Sequence, residues 1–189
     1  LYIFRYTAIT QGMKMGNLSA GASGVSQEMF NAICHFETGH NYGYQMTPKD
    51  LNGYGHDKGH KTYGYGLLVH PNGKYMDQIK PRWTQRELEA LYVTHVQQFS
   101  SKVRNWASSR GLRLAQNQID ALTCATFNFG PGFLTMSKYK VCSLIANHAP
   151  IQTVGSTWST LSDHRGLAGL KKRRRWEANW YIGKKTPLP

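Results

Sequence analysis

Phe36-Glu-Thr-Gly39 closes an apolar helical pattern, and Asp57-Lys-Gly-His-Lys-Thr-Tyr-Gly-Tyr-Gly66 follows it as a glycine-punctuated run. Upstream, Met29, Ile33 and Phe36 recur at helical spacing and predict one buried face. Ser26 has the character of an N-cap, Val25 and Phe30 have the spacing of a hydrophobic staple, and Gly39 supplies a stop. Downstream, Gly53, Gly55, Gly59, Gly64 and Gly66 interrupt short aromatic runs, and Pro71-Asn-Gly73 is a turn signal. Residues from 42 to about 75 therefore read as a small, twisted β-hairpin lobe.

Helical patterns dominate the rest. Thr84 and Glu87 form a capping-box pair, Trp83 and Leu88 a second staple. Leu88, Leu91, Tyr92, Val96, Phe99 and Val103 then hold helical spacing. Ile119, Leu122, Thr126 and Phe129 mark another helix, stopped by Gly130-Pro-Gly132. Residues 139–147, a stretch around Trp158, and 170–182 complete the set. The expected fold is α+β and mostly α, with the hairpin lobe beside a larger helical lobe at about 84–183. The domain as a whole is expected over 25–183. Before it, Gly16-Asn-Leu-Ser-Ala-Gly-Ala-Ser-Gly24 makes 1–24 an extension or linker, and 184–189 reads as a tail.

The 189 residues carry 23 Lys and Arg against 10 Asp and Glu, a formal charge of +13. That balance favours an anionic partner, with nucleic acid, anionic membrane and bacterial wall polymers all qualifying. No apolar run approaches the roughly 18 residues that span a bilayer. The N-terminus shows neither a secretory h-region nor an initiator Met, so the chain is expected to begin inside a longer or processed polypeptide. Cys34, Cys124 and Cys142 are odd in number and lack metal-type spacing, so they read as buried hydrophobes. His35, His40, His56, His60 and His70 surround the hairpin lobe without a His-Glu-x-x-His or comparable pattern, and no metal is expected.

Scarce acids make their positions informative. Glu37, at the end of an apolar helix and flanked by Phe36, can enter a cleft where water is partly excluded. Desolvation disfavours the ionised form, which suits a general acid acting on a glycosidic oxygen. The ordinary alternative is a solvated helix-terminal glutamate. Asp57 and Thr62 place a carboxylate and a hydroxyl in the hairpin, where they can orient a water or offset oxocarbenium charge. Here the ordinary alternatives are an Asx turn and a plain strand threonine.

Together these segments resemble the Glu…Asp…Thr signature of phage-type lysozymes, glycoside hydrolase family 24. Gln118-Ile-Asp-Ala-Leu122, Phe127-Asn-Phe-Gly-Pro-Gly132 and Gly169-Leu-Lys-Lys-Arg-Arg-Arg-Trp-Glu177 are similar to later segments of that family, in the same order. The resemblance implies a lysozyme-like fold with a cleft between the lobes, no cofactor, and a muramidase. Such an enzyme cleaves the β-1,4 bond between N-acetylmuramic acid and N-acetylglucosamine. It implies Glu37 as proton donor, Asp57 as second carboxylate and Thr62 as the neighbouring hydroxyl. A member of this kind is expected to invert at the anomeric carbon, with carboxyls roughly 6.5–9.5 Å apart. The lobe tyrosines Tyr42, Tyr44, Tyr54, Tyr63 and Tyr65 can stack on sugar rings or simply pack as strand aromatics, and of these Tyr63 and Tyr65, with Asn128 and Phe129, are expected to contact substrate.

The chain departs from the pattern in three places. Residues 41–52 look inserted between Glu37 and Asp57, Asp57 and Thr62 stand one residue closer than usual, and Leu67 replaces a customary His. Asp50 therefore competes with Asp57 for the second position. The basic run from Lys171 to Arg175 allows wall contacts, or a solvated helix face with an arginine or two paired. The expected partner is bacterial peptidoglycan, with other parts of a larger phage polypeptide or tail assembly as further partners and no nucleic acid. A lytic transglycosylase and a wall-binding or structural virion module are the rival readings. The expected setting is a phage-encoded protein acting on the bacterial wall, with no signal peptide and no transmembrane segment.

Overall fold

Ser26 opens the first helix: its hydroxyl oxygen accepts the Met29 N–H at 3.2 Å. The same serine is fixed by Asp120, whose carboxylate accepts the Ser26 N–H at 3.1 Å and hydroxyl at 2.6 Å. This joins α1 (Gln27–Thr38) to α5 (Gln116–Phe129) before any apolar packing is considered. Gly39 ends α1 at φ 75°, donating its N–H to the His35 carbonyl. The left-handed turn costs glycine little and delivers the chain into the smaller lobe. The computed structural model describes residues 23–161 and 168–189, so the expected extension at 1–24 lies almost wholly outside the described residues.

The smaller lobe is not the continuous hairpin expected over 42–75. It begins with a short helix, α2 (Pro48–Asn52), inside the inserted segment. Thr47 caps α2, Pro48 occupies its first turn, and Asp50 closes a reciprocal capping box. Strands β1 (Tyr54–Asp57) and β2 (His60–Thr62) then pair antiparallel, Tyr54 opposite Thr62 and Asp57 opposite His60. Their turn is Lys58-Gly59, both at positive φ, the conformation that matches strand twist in a two-residue hairpin. Isolated bridges between Tyr63 and Leu67 and between Val69 and Tyr75 extend the lobe to α3 (Met76–Ile79).

Thr84 caps α4 (Gln85–Ser108), with the expected Glu87 completing its capping box. Leu88, Tyr92, Val96 and Val103 run buried along this 24-residue helix, while Leu91 and Phe99 are partly exposed. Then come α5, a 3-10 turn (Pro131–Leu134), α6 (Lys140–Ala146), α7 (Ile151–Ser159) and α8 (Ala168–Tyr181). The fold of the described residues is thus mostly helical with a small two-stranded sheet. Helix α8 packs against α5 and α7 and divides its basic run sharply. Lys171, Lys172 and Arg175 face solvent, whereas Arg173 and Arg174 are buried. The terminal residues lie back on the body: Thr186 accepts the Trp176 indole N–H at 2.9 Å, and Lys185 pairs with Glu28 at 2.8 Å. Cys34, Cys124 and Cys142 are buried free thiols. Among the described residues no helix is long and apolar enough to cross a membrane.

Candidate active site

Glu37 occupies the last turn of α1, at the junction of the two lobes. Its Oε1 accepts from Nη1 of Arg173 at 2.8 Å, and its side chain is 22% exposed. Gly66, at the exit of the hairpin, passes close by: a Cβ there would lie 3.6 Å from Oε2 of Glu37. Phe36 stands beside the ion pair, with the Arg173 guanidinium 4.7 Å from its ring centre and Trp176 edge-on at 5.4 Å. The carboxyl therefore has one flank fixed by a buried cation and another open to a cleft.

Arg173 is positioned by a network that the sequence did not reveal in full. Its Nε donates to Oε1 of Glu177 at 3.1 Å and its Nη2 to the Cys124 carbonyl at 3.1 Å. Glu177 also accepts from Arg174 at 2.5 Å and from the Trp158 indole at 3.1 Å, and is itself fully buried. Burial works to lower the Arg173 pKa, but Cys124, Glu177 and Glu37 overcome it and hold the guanidinium above its ordinary value. For Arg174 burial wins, and its pKa falls. The readable signal was the i,i+4 spacing of Arg173 and Glu177; the burial of two adjacent arginines was not readable.

The cleft in front of Glu37 has a volume of about 220 Å³, and His40, Tyr44, Lys49, Asp50 and Tyr54 line it with the acid. His40 stacks on Tyr44 at 4.5 Å, Lys49 lies 5.9 Å over the Tyr54 ring, and the Tyr54 hydroxyl donates to the Gly64 carbonyl at 3.1 Å. Burial pushes the Tyr54 phenol up, and the charges of Asp50 and Glu37 push it the same way. Tyr44 rises to about 12, through burial first and Asp50 second.

The other expected site residues divide. Thr62 is half-buried opposite Tyr54 in the ladder. Asp57 contributes its backbone to β1 beside the turn, while its side chain lies outside what the structure describes. Tyr63 and Tyr65 offer no surface to a sugar: both are fully buried, Tyr65 within 4.8 Å of Tyr92 and Tyr63 edge-on to Trp83. The turn that follows β2, closed by the bridge between Tyr63 and Leu67, carries both into the core, and the cleft tyrosines are Tyr44 and Tyr54. Asn128 and Phe129 end α5 against Arg174, whose guanidinium donates to Asn128 Oδ1 and lies 4.2 Å from the Phe129 ring centre. Phe129 is further packed by Phe133 of the 3-10 turn at 5.2 Å and by Tyr139 before α6 at 5.0 Å, so its ring is held among these three elements. Among the described residues no group of three or more His, Cys, Asp or Glu is placed to hold a metal.

A family model described as phage lysozyme matches residues 45–177, starting just beyond Glu37. Two solved structures share the fold. One is an endolysin from Escherichia coli O157:H7 phage FAHEc1, with TM-score 0.61, 24% identity, and 86% of this chain and 96% of that chain covered. The other is the muramidase domain of SpmX from Asticaccaulis excentricus, with TM-score 0.59, 20% identity, and coverages of 86% and 98%. No curated protein matches the sequence.

Proposed function

The chain belongs to the phage lysozyme family and is a peptidoglycan-degrading lysozyme, and from that premise we propose that Glu37 is the proton donor that cleaves the glycan. The bond is the β-1,4 linkage from N-acetylmuramic acid to N-acetylglucosamine, and the setting is wall degradation by a phage, during release or entry. The observation that carries this reading is the carboxyl of Glu37 at the cleft, held on one oxygen by Arg173 and bordered by the Gly66 backbone.

Cleavage requires a proton on the leaving oxygen as the anomeric carbon becomes electron-poor. Glu37 reaches that oxygen from α1, a rigid element, so its approach is set before substrate enters. Arg173 remains beside the carboxylate once the proton has left, where its buried charge balances the one created. Tyr44 and Tyr54 give the cleft aromatic walls against which sugar rings can pack.

Glu37→Gln keeps the size and an acceptor for Arg173 but has no proton to give. The expected result is a loss of roughly 10²- to 10⁴-fold in turbidity clearing of permeabilised bacteria, with an unchanged melting temperature. Equal clearing by both proteins contradicts the assignment and favours a non-catalytic wall module. Mass spectrometry of the released muropeptides reads the chemistry: reducing ends are expected, and anhydro ends point to a transglycosylase.

A further inference from the structure

The sugar rings of the glycan are neutral, and its formal negative charge comes from one kind of group. Each N-acetylmuramic acid carries a lactyl ether whose carboxyl is either free or amide-linked to a peptide bearing further carboxylates. A cleft that binds this polymer needs no cation to hold the rings. A cation inside the cleft, however, has a specific anion to meet.

Two cations stand close to Glu37, and they are committed differently. Arg173 is buried and already bonded to Glu37, Glu177 and the Cys124 carbonyl. Lys49 is exposed and lines the cleft from the inserted helix α2. Among the described residues its ammonium pairs with no carboxylate. Neighbouring Asp50 turns to Thr47 instead, accepting its N–H at 2.8 Å and its hydroxyl at 2.7 Å. Arg173 balances the charge of Glu37, so Lys49 is not required for that purpose.

The Tyr54 ring guides Lys49, with Nζ 5.9 Å from the ring centre. Cation–π attraction reaches to about 6 Å, so the contact orients the stem without fixing the ammonium. Tyr54 is itself fixed, its hydroxyl donating to the Gly64 carbonyl at 3.1 Å. Helix α2 is tied down at two points. The Asp50 carbonyl accepts the Gly64 N–H at 3.0 Å, and the Leu51 carbonyl accepts the Trp83 N–H at 2.9 Å. The base of the lysine is therefore held while its charged end is not. A compact charge on a flexible stem suits an anion that differs in position between substituents, where an arginine fork would demand one geometry. A lysine on a surface helix is ordinary; this one shares a cleft with the acid, on a helix inside an inserted segment.

We propose that Lys49 selects for charged substrate, its ammonium pairing with a carboxylate on the lactyl substituent of N-acetylmuramic acid. This rests on the cleft at Glu37 being where the glycan binds. The pair forms with bound substrate and persists unchanged as the glycosidic bond breaks, so it lowers KM and leaves kcat alone.

Lys49→Met keeps most of the stem against Tyr54 and removes the charge. On carboxylate-bearing glycan strands its KM should rise roughly 5- to 10-fold with kcat little changed. Strands whose carboxyls have been converted to methylamides lack the anion. On these the wild type should show the variant's higher KM, and Lys49→Met should lose nothing further. Lys49→Arg should retain most of the preference, and added salt should raise the wild-type KM more than that of Lys49→Met. Strands stripped of peptide keep only the lactyl carboxylate. A preference that survives on them assigns the pair to that group; one confined to peptide-bearing strands assigns it to the peptide. The same KM ratio on charged and amidated strands means a structural role and overturns the proposal, as does an unaltered KM on both. Strand binding by Glu37→Gln, with and without Lys49→Met, reads the preference without turnover. If that difference holds while the wild type does not cleave, the catalytic reading has failed and the pairing stands. If cleavage depends on Glu37 and the preference is absent, only the role of Lys49 has failed.

Discussion

Arg173 reaches Glu37 from a side chain that is 3% exposed, donating from Nη1 to Oε1 at 2.8 Å while its Nε holds Glu177 at 3.1 Å. One guanidinium thus spans a cleft carboxyl and a fully buried one, and ties α8 to α1. A desolvated arginine of this kind is not there for net stability alone, because removing both charges from water costs much of what their attraction returns. Its geometric effect is plainer: the fork allows Glu37 little freedom to rotate away from the cleft.

Arg173→Met should cost about 3–5 kcal/mol, since Glu177 loses a buried partner. Arg173→Lys is the sharper experiment. An ammonium keeps the charge but cannot make the same planar fork to Glu37, Glu177 and the Cys124 carbonyl. Its kcat should fall roughly 10- to 100-fold with KM little changed, because the acid is misplaced rather than removed. Calorimetry and muropeptide release measure the two effects. A lysine variant with full kcat would show that the fork does not position Glu37.

Gly66 and Gly73 both have positive φ, 80° and 85°, so alanine at either should cost about 1–2 kcal/mol of backbone strain. They differ in what the added methyl meets. At Gly73 nothing lies within 4 Å; at Gly66 the methyl would stand 3.6 Å from Cβ and Oε2 of Glu37. Matched melting curves with activity lost in Gly66→Ala alone are expected. Equal activities would mean that the hairpin exit does not border the working face of the acid.

The helical framework was legible because its signals are local. Ser26, Gly39, Thr84 and Glu87 all cap where their spacing said they would. Helix α2 was equally written, as Thr47, Pro48 and Asp50, yet five residues carry too little apolar periodicity to stand out beside so many glycines and tyrosines. The reading of Glu37 as an acid came from its place after an apolar face and from a motif, and the structure adds that its carboxyl lines a cleft. Arg173 was harder, since a run of five cations reads as solvated, and only packing against α5 decides which two turn inward. Tyr63 and Tyr65 show the opposite limit. Both sit in a glycine-punctuated turn beyond β2, and residue type alone does not say whether an aromatic there meets sugar or core.

Cysteine reactivity gives an independent check on the packing. Burial raises the Cys34 thiol to about 11 and the Cys142 thiol to about 12, and it raises Cys124 further. Thiolate, the reactive form, is therefore scarce near neutral pH, and access is poor as well. A chromogenic disulfide reagent should label none of the three in the native protein and all three in denaturant. Rapid labelling of the native protein would mean that α1, α5 or α6 opens more readily than their packing implies.

His95, on α4, should make the attachment of the smaller lobe sensitive to mild acid. Burial lowers its pKa; a hydrogen bond to the Val69 backbone opposes that shift, and His70 reinforces it. The folded protein therefore prefers the neutral ring more strongly than the unfolded chain does. Above the unfolded value of about 6.5, both states are neutral and the contribution is fully present. As pH falls through that value, the unfolded chain takes up a proton that the folded one resists. Stability then declines until the lower folded value is passed, where both states are charged. His95→Gln retains a donor for Val69 but cannot titrate. Between pH 7.5 and 5.5 the wild-type melting temperature should fall more steeply than that of the variant, the other histidines contributing equally to both. Parallel curves would place the acid sensitivity elsewhere and remove His95 from the account.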